Sequence, residues 1–236
     1  MQRFVPNIIL LSFFVSASAS ASSITGVDLG ALDVGAKIVG PVGPDVEVSL
    51  INADGDSVGD LRSSVSCPSG FTKCTPSSNS PGTIYTYSHT VIPGVDQPND
   101  APFPKPSTVL GFDDVGTFSL GFAAEGFNGV AGYDFGEADA AGVGFTIELA
   151  DSGELVWMTD SEGWDWDTGE PITFFWQTTR PPAGPGGVYS ISNATGDGTG
   201  NGPVPAAKEV PESATALLLV TGLAWIGYRR KLAAMN

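Results

Sequence analysis

Histidine occurs once in this chain, at His89, and cysteine twice, at Cys67 and Cys74. A lone imidazole has no second histidine with which to share a metal. Its place in an alternating run beside Tyr87 gives it a structural or surface role. Two thiols without a nearby histidine make a poor zinc site. No Gly-x-Ser-x-Gly surrounds any serine, so the hydrolase elbow is missing. Neither a phosphate-binding loop nor a dinucleotide fingerprint occurs. Heptads, long amphipathic helices and convincing internal repeats are absent as well. The sequence therefore offers no catalytic set, and a non-enzymatic protein with no resident cofactor is expected.

Positive charge is also scarce. The chain has 10 Lys and Arg against 26 Asp and Glu. Arg3, Arg229, Arg230 and Lys231 lie at the two ends, whereas every acid falls between Asp28 and Glu212. The stretch between the ends therefore holds 26 acids against 6 bases, a net charge near −20. Such a surface repels nucleic acid and anionic lipid and attracts divalent cations.

What is plentiful is glycine and proline, 31 and 18 residues. They punctuate short runs rich in β-branched and aromatic residues. Residues 44–50 alternate apolar and polar, the period of a half-buried strand. Residues 83–92 are a dense β run. Further strands are expected over 116–122, 130–135, 143–149, 154–158, 172–178 and 188–191. Asp151-Ser152-Gly153 is a hairpin turn between two of them. Five prolines between Pro93 and Pro106 exclude a central strand or a helix there. An ordered extended loop crossing between sheets is expected instead. Short strands at this spacing predict an all-β body, a β-sandwich or jelly roll, over residues 22–192. Residues 52–60 read as an acidic turn and 62–82 as a Ser, Pro and Gly-rich region around the cysteines. Residues 193–209 have little to bury and read as a flexible linker.

The two ends carry addresses. Arg3 precedes an apolar run, Ile8 to Val15, and Ala17-Ser18-Ala19 and Ala19-Ser20-Ala21 are both Ala-x-Ala sites. Residues 1–21 read as a Sec-type signal peptide cut after Ala19 or Ala21, with Ala21 preferred. In an exported chain Cys67 and Cys74 are expected to form a disulfide closing a tight loop. At the other end Val210-Pro211-Glu212 precedes an uncharged segment, Ala214 to Tyr228, and then Arg229-Arg230-Lys231. Fifteen residues at 1.5 Å each span about 22 Å, less than the ~30 Å of a bilayer core. Three cations hold that end in the cytoplasm, and Trp225 and Tyr228 suit the interface.

This tail, residues 210–232, resembles the PEP-CTERM sorting signal of exported bacterial proteins. Val210, Pro211, Glu212, Arg229 and Arg230 carry the resemblance, and Ser213 stands where a second proline is usual. The resemblance implies processing by an exosortase-like membrane protease. It also implies an inner-membrane-tethered intermediate, held by the C-terminal helix, and then a surface or extracellular product. Envelope or extracellular polysaccharide assembly is the expected setting.

Two loops could bind a ligand. Asn52, Asp54 and Asp56 place oxygens at alternate positions, as a Ca²⁺ loop does. Ser57 sits where that loop needs glycine, and an acidic hairpin turn is the other reading. Asp160, Glu162, Trp164, Asp165, Trp166 and Asp167 share one inter-strand loop. Tryptophan faces stack on sugars and carboxylates hold hydroxyls or Ca²⁺, so a secreted carbohydrate- or calcium-binding module is the alternative function. Equally, the tryptophans could cap the core while the acids stay solvated.

Overall fold

In a computed structural model, residues 21–38, 46–98, 100–106, 108–160 and 166–207 are described. The sorting motif, the hydrophobic tail and most of the expected signal peptide lie outside them. So do Glu162, Trp164 and Asp165. Among the described residues no helix is long and apolar enough to cross a membrane.

The body is all-β. Its strands are β1 (Ser22–Ile24), β2 (Val27–Asp28), β3 (Val34–Lys37), β4 (Val46–Ile51), β5 (Ser57–Pro68) and β6 (Tyr85–Pro93). They continue with β7 (Thr117–Leu120), β8 (Phe127–Tyr133), β9 (Phe145–Leu149) and β10 (Leu155–Thr159). The last are β11 (Ile172–Thr178), β12 (Pro182–Ser192) and β13 (Asp197–Pro205). One short helix, α1 (Phe135–Ala141), interrupts them. Asp134 caps it by accepting the N–H groups of Gly136 and Glu137, and Gly142 ends it in the left-handed conformation at φ 75°. The expected strand at 130–135 therefore stops two residues early.

All strands join one sheet in the order β1-β9-β10-β7-β12-β13-β4-β5-β6-β11-β8-β2, with β3 attached to β5. The pairing is antiparallel except between β2 and β8. The sheet curls until distant strands touch through their side chains. Five strands separate β7 from β11, yet Phe118 of β7 stacks on Phe174 of β11 with ring centroids 4.5 Å apart. Trp157 of β10 donates its indole N–H to the Gly132 carbonyl of β8 at 3.0 Å. Phe174 also meets Phe145, Trp157 and Trp166, and these fully or nearly buried rings fill the centre. Aromatic pairs in offset or edge-to-face contact contribute beyond the area they bury.

Short β1, β2 and β3 lie where no strand was expected, and two long strands replace expected turn, loop and linker. β5 runs through residues expected to be turn and cysteine-loop chain. It lies between β4 and β6, so both edges and nearly every side chain are covered. Small serines, Ser57, Ser63, Ser64 and Ser66, fit that interior where periodicity would ask for Val or Ile. β13 replaces much of the expected flexible linker: it pairs with β12 along its whole length and with β4 at Thr199. Its glycines follow a period of two, and Gly198, Gly200 and Gly202 are buried. A Cβ at Gly198 would lie 2.1 Å from Val58 Cγ2, and one at Gly202 would lie 2.6 Å from Tyr189 Cε2. The composition that resembles a spacer is what lets the strand lie against filled core positions.

Candidate functional site

Cys67 and Cys74 form the expected disulfide, with Cα atoms 5.6 Å apart. It closes the end of β5 onto the following loop. Both residues are buried, and Asn79 Nδ2 donates to Cys67 Sγ and to the Tyr85 hydroxyl.

The 52–56 turn is built by its own polar atoms. Asn52 Oδ1 accepts the N–H groups of Asp54 and Asp56 at 3.0 and 2.9 Å. Asn52 N donates to the Asp56 carbonyl, closing the hairpin from β4 to β5. The acidic-turn reading describes this geometry.

The described part of the 160–170 loop likewise turns inward. Trp166 is fully buried, packs on Phe145 and Phe174, and donates its indole N–H to the Glu170 carbonyl at 2.8 Å. Its faces belong to the core, which corrects the expectation that it stacks on a sugar. The aromatic cage beneath it, supplied by β9 and β11, is invisible in a local loop sequence. Asp167 Oδ1 accepts from Asp114 N, and Asp167 N donates to Glu170 Oε2. Across the same contact Asp113 Oδ1 accepts from Thr168 N. Hydrogen bonds from the Thr168 side chain and backbone hold the Asp113 carboxyl below the usual range. Asp160 is exposed after β10.

Three carboxylates that no motif connects do converge. Asp60 comes from the middle of β5, while Asp96 and Asp100 come from the proline-rich segment after β6. Each offers an oxygen within 4.8 Å of the others. Asp60 pairs across the sheet with Ser49 of β4. Ser49 Oγ donates to Asp96 Oδ1 at 2.8 Å and lies 3.4 Å from Asp100 Oδ2. The backbone fixes the same arrangement. Gln97 N donates to Asp60 Oδ2 at 2.7 Å, Ser49 N to the Ala101 carbonyl, and Gly94 N to the Val58 carbonyl.

Lys105 lies at the edge of this cluster. Its Nζ is 3.4 Å from Asp96 Oδ2 and 3.3 Å from Asp100 Oδ1. It also donates to the Gln97 carbonyl. Asp60 and Asp100 are only 2% and 4% exposed. Asp60 Oδ1 is buried without a hydrogen-bond partner, and Asp100 Oδ1 is buried with only the Lys105 ammonium beside it. Burial, opposed by the Gln97 N–H and reinforced by the charges of Asp100, Asp96 and Glu47, pushes the Asp60 carboxyl up to about 7. The available signal in the sequence was an aspartate inside a Ser- and Val-rich run, facing a proline-fixed Asp-x-x-x-Asp. Nothing in their spacing of about forty residues says that they meet.

No family model, curated protein or solved structure matches the chain.

Proposed function

We propose that this chain is an exported, non-enzymatic surface or extracellular protein, sorted through its PEP-CTERM-like tail by an exosortase-like membrane protease. Envelope or extracellular polysaccharide assembly is the process it serves. The observation that carries this reading is the Cys67–Cys74 disulfide within an acid-rich body. Such bonds persist in oxidising compartments and are rare in the cytosol. The ends fit the same reading: β1 opens at Ser22, directly after the preferred signal cleavage site, and β13 closes at Pro205, shortly before Val210. On the fold, we propose that the curled sheet is a β-sandwich, its halves facing each other across the Phe118–Phe174 contact.

The test is to express the full chain in a bacterium with and without an exosortase gene and sequence the ends of the surface material. The expected mature product begins at Ser22 and lacks the hydrophobic tail only when the exosortase is present. Intact tail in mature surface material, or cytosolic protein that still begins at Met1, overturns the reading.

A further inference from the structure

We propose that Asp60, Asp96 and Asp100 bind one hard divalent cation, calcium, which fastens the proline-rich segment after β6 onto β4 and β5. Asp60 ends the 52–60 stretch that the sequence singled out, but Asp96 and Asp100 lie outside both suggested loops, and the inference does not depend on the sorting reading.

The donors are all carboxylate oxygens, a set that favours hard cations over zinc or copper. The three oxygens lie within 4.8 Å of one another, inside the span of a calcium shell. Two oxygens on opposite sides of Ca²⁺ lie about 4.6–5.2 Å apart, and on opposite sides of Mg²⁺ only about 4.0–4.2 Å. Calcium accepts irregular carboxylate shells, whereas magnesium demands near-ideal octahedral geometry and gives up its waters reluctantly, so this protein-built set favours calcium.

Charge points the same way. When ionised, three carboxylates and the Lys105 ammonium leave two negative charges, which one divalent cation neutralises. A buried carboxylate oxygen without a partner is costly, and Asp60 Oδ1 is in that position, while Asp100 Oδ1 has only the Lys105 ammonium beside it. The ammonium reaches Asp96 and Asp100, and the ion pairs found do not include Asp60. Lys105 is thus a counter-ion at the rim that competes with the cation, and it leaves one donor for the cation alone.

The consequence is mechanical. Asp60 and Ser49 sit on paired strands, whereas Asp96 and Asp100 belong to the segment lying over them. A cation held by both parts ties that segment down.

The experiment uses the full chain purified in mild detergent and stripped with chelator. Calcium and magnesium are titrated separately by calorimetry, and thermal melts are recorded with each metal. Calcium is expected to bind with a stoichiometry of one and to raise Tm by about 5 °C or more at saturating concentration. Magnesium should bind at least about tenfold more weakly. The isosteric Asp60→Asn variant should lose the calcium heat and the Tm shift. Lys105→Gln removes the competitor and should bind calcium more tightly than the native chain. Asp54→Asn should bind as the native chain does. Absence of calcium heat in the native chain overturns the proposal, as does unchanged binding in Asp60→Asn. Weakened binding in Lys105→Gln overturns the role given to Lys105. A variant that does not fold is replaced by Asp100→Asn, judged by the same loss.

Discussion

The indole N–H of Trp176 points at Nε2 of His89, 3.3 Å away, and so fixes which nitrogen of the only histidine carries the proton. With Nε2 accepting, the proton sits on Nδ1, which donates to Ser63 Oγ at 2.9 Å. The ring is fully buried and its centroid is 4.3 Å from that of Tyr189 on the opposite side of the core. Three strands thus meet at one neutral imidazole. Burial pushes His89 down to about 3. It is a core group with both nitrogens satisfied, the structural one of the two roles that its place in an alternating strand allowed.

The pH dependence follows from this site. An unfolded histidine takes up a proton near pH 6.5. Folded His89 refuses it until about 3. Between those values this ring binds more protons in the unfolded chain, so its contribution to stability falls as pH drops through the window, whereas Asp60, raised to about 7, contributes in the opposite sense. Replacing His89 with Gln keeps a donor and an acceptor but removes the titration. In urea melts between about pH 6 and pH 4 the slope of stability against pH should then be lower than the native chain's by up to about 1.4 kcal/mol per pH unit. Parallel slopes would show that the ring is not held neutral.

The β13 glycines should be intolerant of any side chain. Gly198→Ala forces a methyl group against Val58 and is expected to cost about 1–3 kcal/mol. Gly196, where a Cβ meets nothing within 4 Å, provides the control. Gly196→Ala should change stability by no more than about 0.5 kcal/mol. Denaturant midpoints of the two variants separate a paired strand from a linker, because a linker would tolerate both.

Trp166→Ala should act as a core deletion. The buried indole loses its contacts with Phe145 and Phe174 and its bond to the Glu170 carbonyl. A loss of about 3–5 kcal/mol is expected. A variant with native melting but weakened sugar retention on a polysaccharide column would return Trp166 to the ligand-binding reading.

Reducing the disulfide should lower stability without unravelling the sheet. The closed loop is short, with a sequence separation of 7. Chain entropy then gives about 2–3 kcal/mol. The Cys67→Ala, Cys74→Ala double variant should show this loss in a urea melt and keep its far-ultraviolet spectrum. A collapse of that spectrum would mean that the bond holds the β5 end of the sheet in place.

The strands that alternate in sequence were legible from it. Residues 143–149 become β9 with their apolar residues inside, because a half-buried strand writes its burial as a period of two, and residues 172–178 become β11, marked by β-branched and aromatic density. The Asp151-Ser152-Gly153 hairpin and the cysteine pair were equally local. The strands that failed are those whose neighbours set the rule. β5 is covered almost throughout, so its serines show no period; β13 is glycine-rich because Val58 and Tyr189 occupy the space its side chains would need.

By itself the sequence determined the chemical character of this protein: an acidic, turn-rich β body with one local crosslink and ends that read as export signals. Those properties are additive over residues or confined to a few neighbours, so order along the chain suffices to state them. Only the tertiary structure decided that Asp60 meets Asp96 and Asp100, that Trp166 turns inward, and that His89 is dry. Each depends on strands far apart in sequence being brought side by side by the curl of one sheet. Which groups lose water, and which charges must then find a partner, is settled by that enclosure.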